Sequence, residues 1–280
     1  MAFRYLCFIF LGLVTLPFSV HAQGTGQQFP QTDIYQQVKD RGVLRCGYQI
    51  WPPYFEPTPG GEGFQGLSYD IAEAIGDNIG LEINWALEFK PGEQVQALRS
   101  GKIDAICAGN GFSMPGDLTH SQETVIVPLY LYGPAEGSIF DNNSQSINDN
   151  RTRIAVIGGD ITDSVAKSFY PLAGLKYVEA TSRRDAAMRS VVSGAADLVI
   201  SDKLSMRSYL QNYPGVLKTI VPKNTIARIP LSFSFLRGKD TLMLKDMIDE
   251  GIEYFWIYGQ GDALLDIYDP NRVALLKAAN

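Results

Sequence analysis

The chain has 280 residues, 45% of them hydrophobic, and carries 24 Lys and Arg against 30 Asp and Glu for a formal net charge of −6. An acidic balance disfavours nucleic acid and anionic membrane surfaces as partners. Two His and three Cys supply no His-rich or Cys-rich metal pattern, so neither a metal nor a cofactor is expected.

Residues 1–22 read as a processing signal. Arg4 is their only charge, Leu6 to Leu16 is almost wholly apolar, Pro17 breaks the run, and Val20-His21-Ala22 is a small-x-small cleavage site. The run is shorter than the ~20 apolar residues of a spanning helix, and Cys7 lies inside it, away from the cleavage site. The mature protein is expected in the periplasm as a monomer with no membrane span. Removing residues 1–22 leaves 258 residues with 23 basic and 30 acidic side chains, a net charge of −7, and the two cysteines Cys46 and Cys107. In an oxidising compartment these either form a disulfide, if their strands are neighbours with both sulfurs on one face, or act as small buried hydrophobes.

Residues 23–32 are a polar, Gly-rich tail. A short helix over 33–41 ends at Gly42, and Val43 to Tyr48 is a strand stopped by Trp51-Pro52-Pro53. After a Gly-rich loop to Gly66, Ser68 or Asp70 caps a helix whose Ile71, Ile75 and Ile79 share a face. Strand 81–85, helix 93–99 and the apolar strand 103–108 complete a parallel α/β unit. Val125 to Tyr132 is a strand leading out of it, and 141–151 is a polar surface loop.

A second unit follows: strand 153–157, helix 162–169, strand 176–179, helix 184–192 and strand 196–201. A polar connection over 222–230 leads to an alternating strand, Leu231 to Phe235, and a helical end with Leu244, Met247, Ile248 and Ile252 on one face. The tail thus returns to the first unit. This gives a discontinuous lobe of 33–132 and 227–280, a second lobe of 133–226, and two crossovers. A repeated phrase marks the doubling: Ser100-Gly101-Lys102-Ile103-Asp104-Ala105-Ile106 and Ser193-Gly194-Ala195-Ala196-Asp197-Leu198-Val199. A bare Ser-Gly helix stop would explain its first half only.

In a parallel sheet a ligand sits beyond the carboxyl ends of the strands, here the loops 49–66, 109–117, 158–163 and 201–206. Trp51, Tyr54 and Phe55 offer flat surfaces for stacking, or simply pack their loop. Gly109, Asn110, Gly111 and Ser113 expose backbone amides and small polar groups, or form an ordinary Gly turn. Asp160 and Thr162 stand at a helix start, where either could bind a ligand or cap the helix. Asp202 could take an ammonium group, or pair with Lys203 or Arg207. His120 is the single His after residue 22 and lies in a polar loop with no Cys nearby, so a Ser-His-Asp or Cys-His arrangement has little support.

The runs 42–48, 66–75 and 98–106, with the second Ser-Gly phrase ending at Asp202, resemble the family 3 (polar amino-acid type) extracellular solute-binding proteins, the exported receptors of ABC importers. The resemblance implies the two-lobed type II periplasmic binding fold, with two mainly parallel five-stranded sheets flanked by helices and joined by two hinges. It assigns Trp51 to the stacking aromatic, Gly109 and Gly111 to carboxylate contact, and Asp202 to the ammonium. The family's Thr-Pro-Glu-Arg is replaced by Ser113-Met114-Pro115-Gly116-Asp117, without the Arg that clamps an α-carboxylate. The expected ligand is therefore a small polar or cationic solute delivered to an ABC permease. Alternatives are an accessory or sensory protein of the same fold, and a dehydratase-like enzyme derived from it.

Overall fold

A computed structural model describes residues 33–108, 116–140, 147–179, 185–220 and 225–278. In the first part, α1 (Ile34–Arg41) leads into β1 (Val43–Tyr48), and the short strands β2 (Glu56–Pro57) and β3 (Phe64–Gln65) form a hairpin before α2 (Leu67–Ile79). Then come β4 (Glu82–Glu88), α3 (Gln94–Arg99), β5 (Ala105–Ile106) and β6 (Leu118–His120). The long strand β7 (Val125–Pro134) opens the second part, followed by β8 (Arg153–Ile157), α4 (Ile161–Phe169), β9 (Gly174–Val178), α5 (Ala186–Val192), β10 (Leu198–Asp202), α6 (Lys203–Asn212) and β11 (Leu217–Thr219). The chain returns through β12 (Ala227–Pro230) and β13 (Ser234–Leu236) to α7 (Leu242–Ile257), α8 (Gln260–Tyr268) and β14 (Leu276–Lys277).

The first sheet has the order β4-β1-β5-β13-β6, with β1 parallel to β4 and β5 and with β13 antiparallel to β5 and β6. The second runs β11-β7-β10-β8-β9, with β12 and β14 also on β7. It therefore has seven strands instead of the expected five, because the ten residues of β7 give β11, β12 and β14 each a stretch to pair with. The expected strand at 231–235 is displaced for a related reason. Residues 227–230 pair with β7 in one sheet and 234–236 with β6 in the other, so the chain changes sheets at 231–233 and cannot hold one ladder through them. No helix among the described residues is long and apolar enough to cross a membrane.

Most local signals act as the sequence implies, but neither Ser68 nor Asp70 caps α2, whose N-cap is Gly66 with no side-chain cap bond. Asp33 caps α1 by accepting from the Tyr35 amide, and Gly42 ends it in the left-handed region. Gly66, at φ 121°, starts α2 so close to the Tyr54 carbonyl that a Cβ would stand 2.5 Å from that oxygen. This fixes the Trp51–Phe55 loop against α2. Ile71 and Ile75 of α2 are buried, and α2 packs on α7 and α8.

The repeated phrase does the same work twice. Ser100 and Ser193 donate to the carbonyls three residues back, at 2.6 and 3.1 Å, and Gly101 and Gly194 turn the chain at φ 68° and 74°. Asp104 then bonds both ways to Arg45: its amide donates to the Arg45 carbonyl at 2.8 Å, and its carboxylate accepts from the Arg45 amide at 2.9 Å and from the guanidinium at 2.6 Å. Asp197 repeats this on Arg153, at 2.8, 2.8 and 2.6 Å. Each Asp thus clamps the strand it opens to the parallel strand beside it.

The copies differ in burial. Asp104 has a side chain 0% exposed and a second guanidinium partner, Arg41, whereas Asp197 is 29% exposed. Asp104→Ala should cost about 3 kcal/mol, by stranding buried donors, and Asp197→Ala about 1 kcal/mol. Urea unfolding of the two variants checks this, and equal losses would contradict the difference in burial.

Candidate functional site

β10 delivers Asp202 to the carboxyl end of the second sheet, where the backbone turns into α6. The segment 201–206, expected as a loop, is instead strand end and helix start, and Asp202 is the N-cap: Oδ1 accepts from the Ser205 amide at 2.8 Å. The same oxygen accepts from the Tyr54 hydroxyl at 2.9 Å. Asp202 is 2% and Tyr54 0% exposed. Both bonds fall on Oδ1. Neither sequence-level partner is used. Lys203 reaches the Val273 carbonyl and lies over the Tyr130 ring, while Arg207 pairs with Asp269.

Tyr54 and Trp51 arrive from the first sheet. Beyond β1 the chain folds back on itself, with Trp51 and Phe55 exchanging backbone bonds at 2.8 Å. Phe55 fills the space between Tyr48, Phe64 and Trp85, at ring separations of 4.9, 4.8 and 4.5 Å. This aromatic base holds Trp51 stacked on Tyr54 at 4.2 Å. The Trp51 indole donates to the Ser205 hydroxyl at 3.2 Å, and that hydroxyl donates to the Pro52 carbonyl at 3.2 Å. A further approach lies at Gly159, where a Cβ would come within 3.2 Å of the Pro91 carbonyl.

Under Trp51 lies a cavity of about 50 Å³. Asp160, Thr162, Ser201, Asp202 and Ser205 line its polar part, and Ile157, Ala187 and Met188 are among its apolar walls. Asp160 both caps α4, accepting from the Thr162 amide at 3.0 Å, and faces the cavity, so the two readings of this residue hold together. Asp163, one turn further, is occupied by Lys167 and Tyr177. Among the described residues no basic side chain lines the cavity.

Burial raises the Asp202 carboxyl above the usual carboxylate range, against the opposing hydrogen bonds from Ser205 and Tyr54. Burial, and then the adjacent Asp202 charge, push the Tyr54 phenol well above its ordinary value, so it remains a donor.

The structure brings together Trp51, Tyr54, Asp160, Thr162 and Asp202. Gly109, Asn110, Gly111 and Ser113 lie outside the described residues. Cys46 and Cys107 form a disulfide between β1 and β5, with Cα atoms 5.5 Å apart, resolving the two alternatives. His120 lies in β6, not in a loop, and bonds Ser234 at 3.0 Å. Ser205 escaped notice because α6 was not anticipated. Asp202 before the spaced apolar residues Leu204, Met206, Tyr209 and Leu210 is the N-cap pattern that would have found it.

Residues 44–114 match the family model described as bacterial extracellular solute-binding proteins, family 3. Among solved structures, the cysteine-binding protein of Campylobacter jejuni is 17% identical with a TM-score of 0.72, over 88% of this chain and 100% of that one. A putative ABC-transporter binding component of Wolinella succinogenes, complexed with lysine, is 18% identical with a TM-score of 0.69, over 83% and 97%. At these identities the likeness is one of fold. By sequence, the chain is 26% identical to the membrane-bound lytic murein transglycosylase F of Idiomarina loihiensis over 81% of its own length, and 24% identical to that of Aeromonas hydrophila over 80%. It spans about half of these relatives, 49% and 45%. Residues 44–114 thus carry the sequence of a family 3 extracellular solute-binding protein, and the chain as a whole has the two-lobed type II periplasmic binding fold.

Proposed function

We propose that the chain is an exported binding protein that captures a small polar or cationic solute, an amine or an amino-acid-like molecule, beneath Trp51 and delivers it to an ABC permease in the inner membrane. One observation carries this reading: the cavity wall holds two buried carboxylates, Asp160 and Asp202, and no basic side chain among the described residues. Such a wall offers a cation a charge-assisted hydrogen bond and offers a free carboxylate only repulsion.

Binding here requires no turnover. Thermal-shift screening of the mature chain with amines, amino acids and sugars should give stabilisation by cationic members of the set. Preferential stabilisation by an acidic amino acid would overturn the reading. A second reading draws on the named relatives: the same fold as an accessory or sensory unit of cell-envelope machinery that handles murein. Murein fragments added to the screen separate the two, since this reading expects them to bind where free amines do not.

A further inference from the structure

We infer that Tyr54 is a built-in competitor for the solute. Its hydroxyl holds the position on Asp202 that a solute cation would take, and the cleft stays shut without ligand until the two exchange. This rests on the solute-binding reading given above. The bond joins residues 148 positions apart, from the loop after β1 in the first sheet to the end of β10 in the second. Three neighbouring contacts cross the same gap: Trp51 to Ser205, Ser205 to the Pro52 carbonyl, and Gly159 against Pro91. Of these four contacts, the Tyr54 bond is the one made to a carboxylate. Removing its hydroxyl should therefore loosen the closed state more than any change at the others.

The exchange sets a threshold. A neutral hydroxyl from a solute would replace the phenol like for like and gain little, whereas an ammonium brings a charged donor to a buried carboxylate. Every affinity is lowered by the fraction of protein in which Tyr54 has released Asp202. The space also selects. Ile157, Ala187 and Met188 line the cavity beside the polar groups. An ammonium on a short apolar stem fits this shape, with Oδ1 of Asp202 as its partner once the Tyr54 hydroxyl has left.

The test uses Tyr54→Phe, which keeps the ring on Trp51 and removes the hydroxyl. Small-angle scattering of the ligand-free proteins should show a larger radius of gyration for Tyr54→Phe than for the wild type. Calorimetric titration with n-butylammonium should show tighter binding by the variant, on the order of tenfold. A variant as compact as the wild type, or one that binds n-butylammonium more weakly, overturns the competitor role. If the variant opens but neither protein takes n-butylammonium, the latch stands and the solute class falls. Should Tyr54→Phe not fold, Ser205→Ala removes the two adjoining contacts and leaves the Tyr54 bond; it should stay as compact as the wild type, and a Ser205→Ala protein that opens counts against the latch.

Discussion

Replacing Cys46 and Cys107 together by Ala should lower the stability of the protein by about 4 kcal/mol, the value chain-entropy arguments give for a closed loop spanning 61 positions. For a chain of this size that corresponds to roughly 10 °C in melting temperature. The loss arises mainly in the unfolded chain, which regains the freedom of a segment holding the Trp51–Tyr54 loop, α2, β4 and α3. In the folded state Cys46 is 0% and Cys107 7% exposed, so two alanines fit the site without stranding a polar group. Thermal melts of the oxidised wild type and the double variant check the figure, and a shift of 2 °C or less would contradict it. The same bond ties β1 to the residue after β5 and neither cysteine lines the cavity under Trp51, so binding should weaken far less than stability.

Asp202→Asn should separate stability from binding. The amide oxygen can still cap α6 and accept from Tyr54, since Asn and Asp are equivalent N-caps, but the buried charge is gone. Cation binding should fall at least about a hundredfold, because a charged donor would lose its buried partner. The ligand-free variant should nevertheless be more stable than the wild type at neutral pH, by roughly 0.5–2 kcal/mol, as is common when a functional residue is held at a structural cost.

The sign follows from the raised Asp202 carboxyl. A carboxyl that ionises later in the folded than in the unfolded state contributes stability below its unfolded value of about 3.9, and that contribution is lost as pH rises through the folded value. The advantage of Asp202→Asn should be absent near pH 3.5, grow above it, and level off toward neutrality. Paired melts between pH 3.5 and 8 test this, and an advantage that shrank with rising pH would contradict it.

What the sequence revealed and what it hid divide along a physical line. Local signals carried most of the elements: Gly42 as a helix end, Pro52-Pro53 as a strand stop, and the isoleucine spacing of α2. The Ser-Gly phrase pointed to a doubled unit, and its Asp residues proved to be clamps on Arg45 and Arg153, a long-range role that spacing alone could not assign. The site was half legible. Trp51, Asp160 and Asp202 were picked out by residue type and place in the loops. That Asp202 faces Tyr54 was hidden, because it depends on how two sheets meet across 148 positions of sequence. β12 was missed inside a polar connection because its pairing partner, β7, is set by tertiary placement and not by its own alternation.

The central claim is that Asp202 receives a cationic solute beneath Trp51. A crystal structure of the chain with the most stabilising compound from the screen tests it most directly. A solute nitrogen should lie within hydrogen-bonding distance of the Asp202 carboxylate, with the Tyr54 hydroxyl displaced from Oδ1. A solute carboxylate in that position, or a solute bound away from Asp202 with the Tyr54 bond intact, would contradict it.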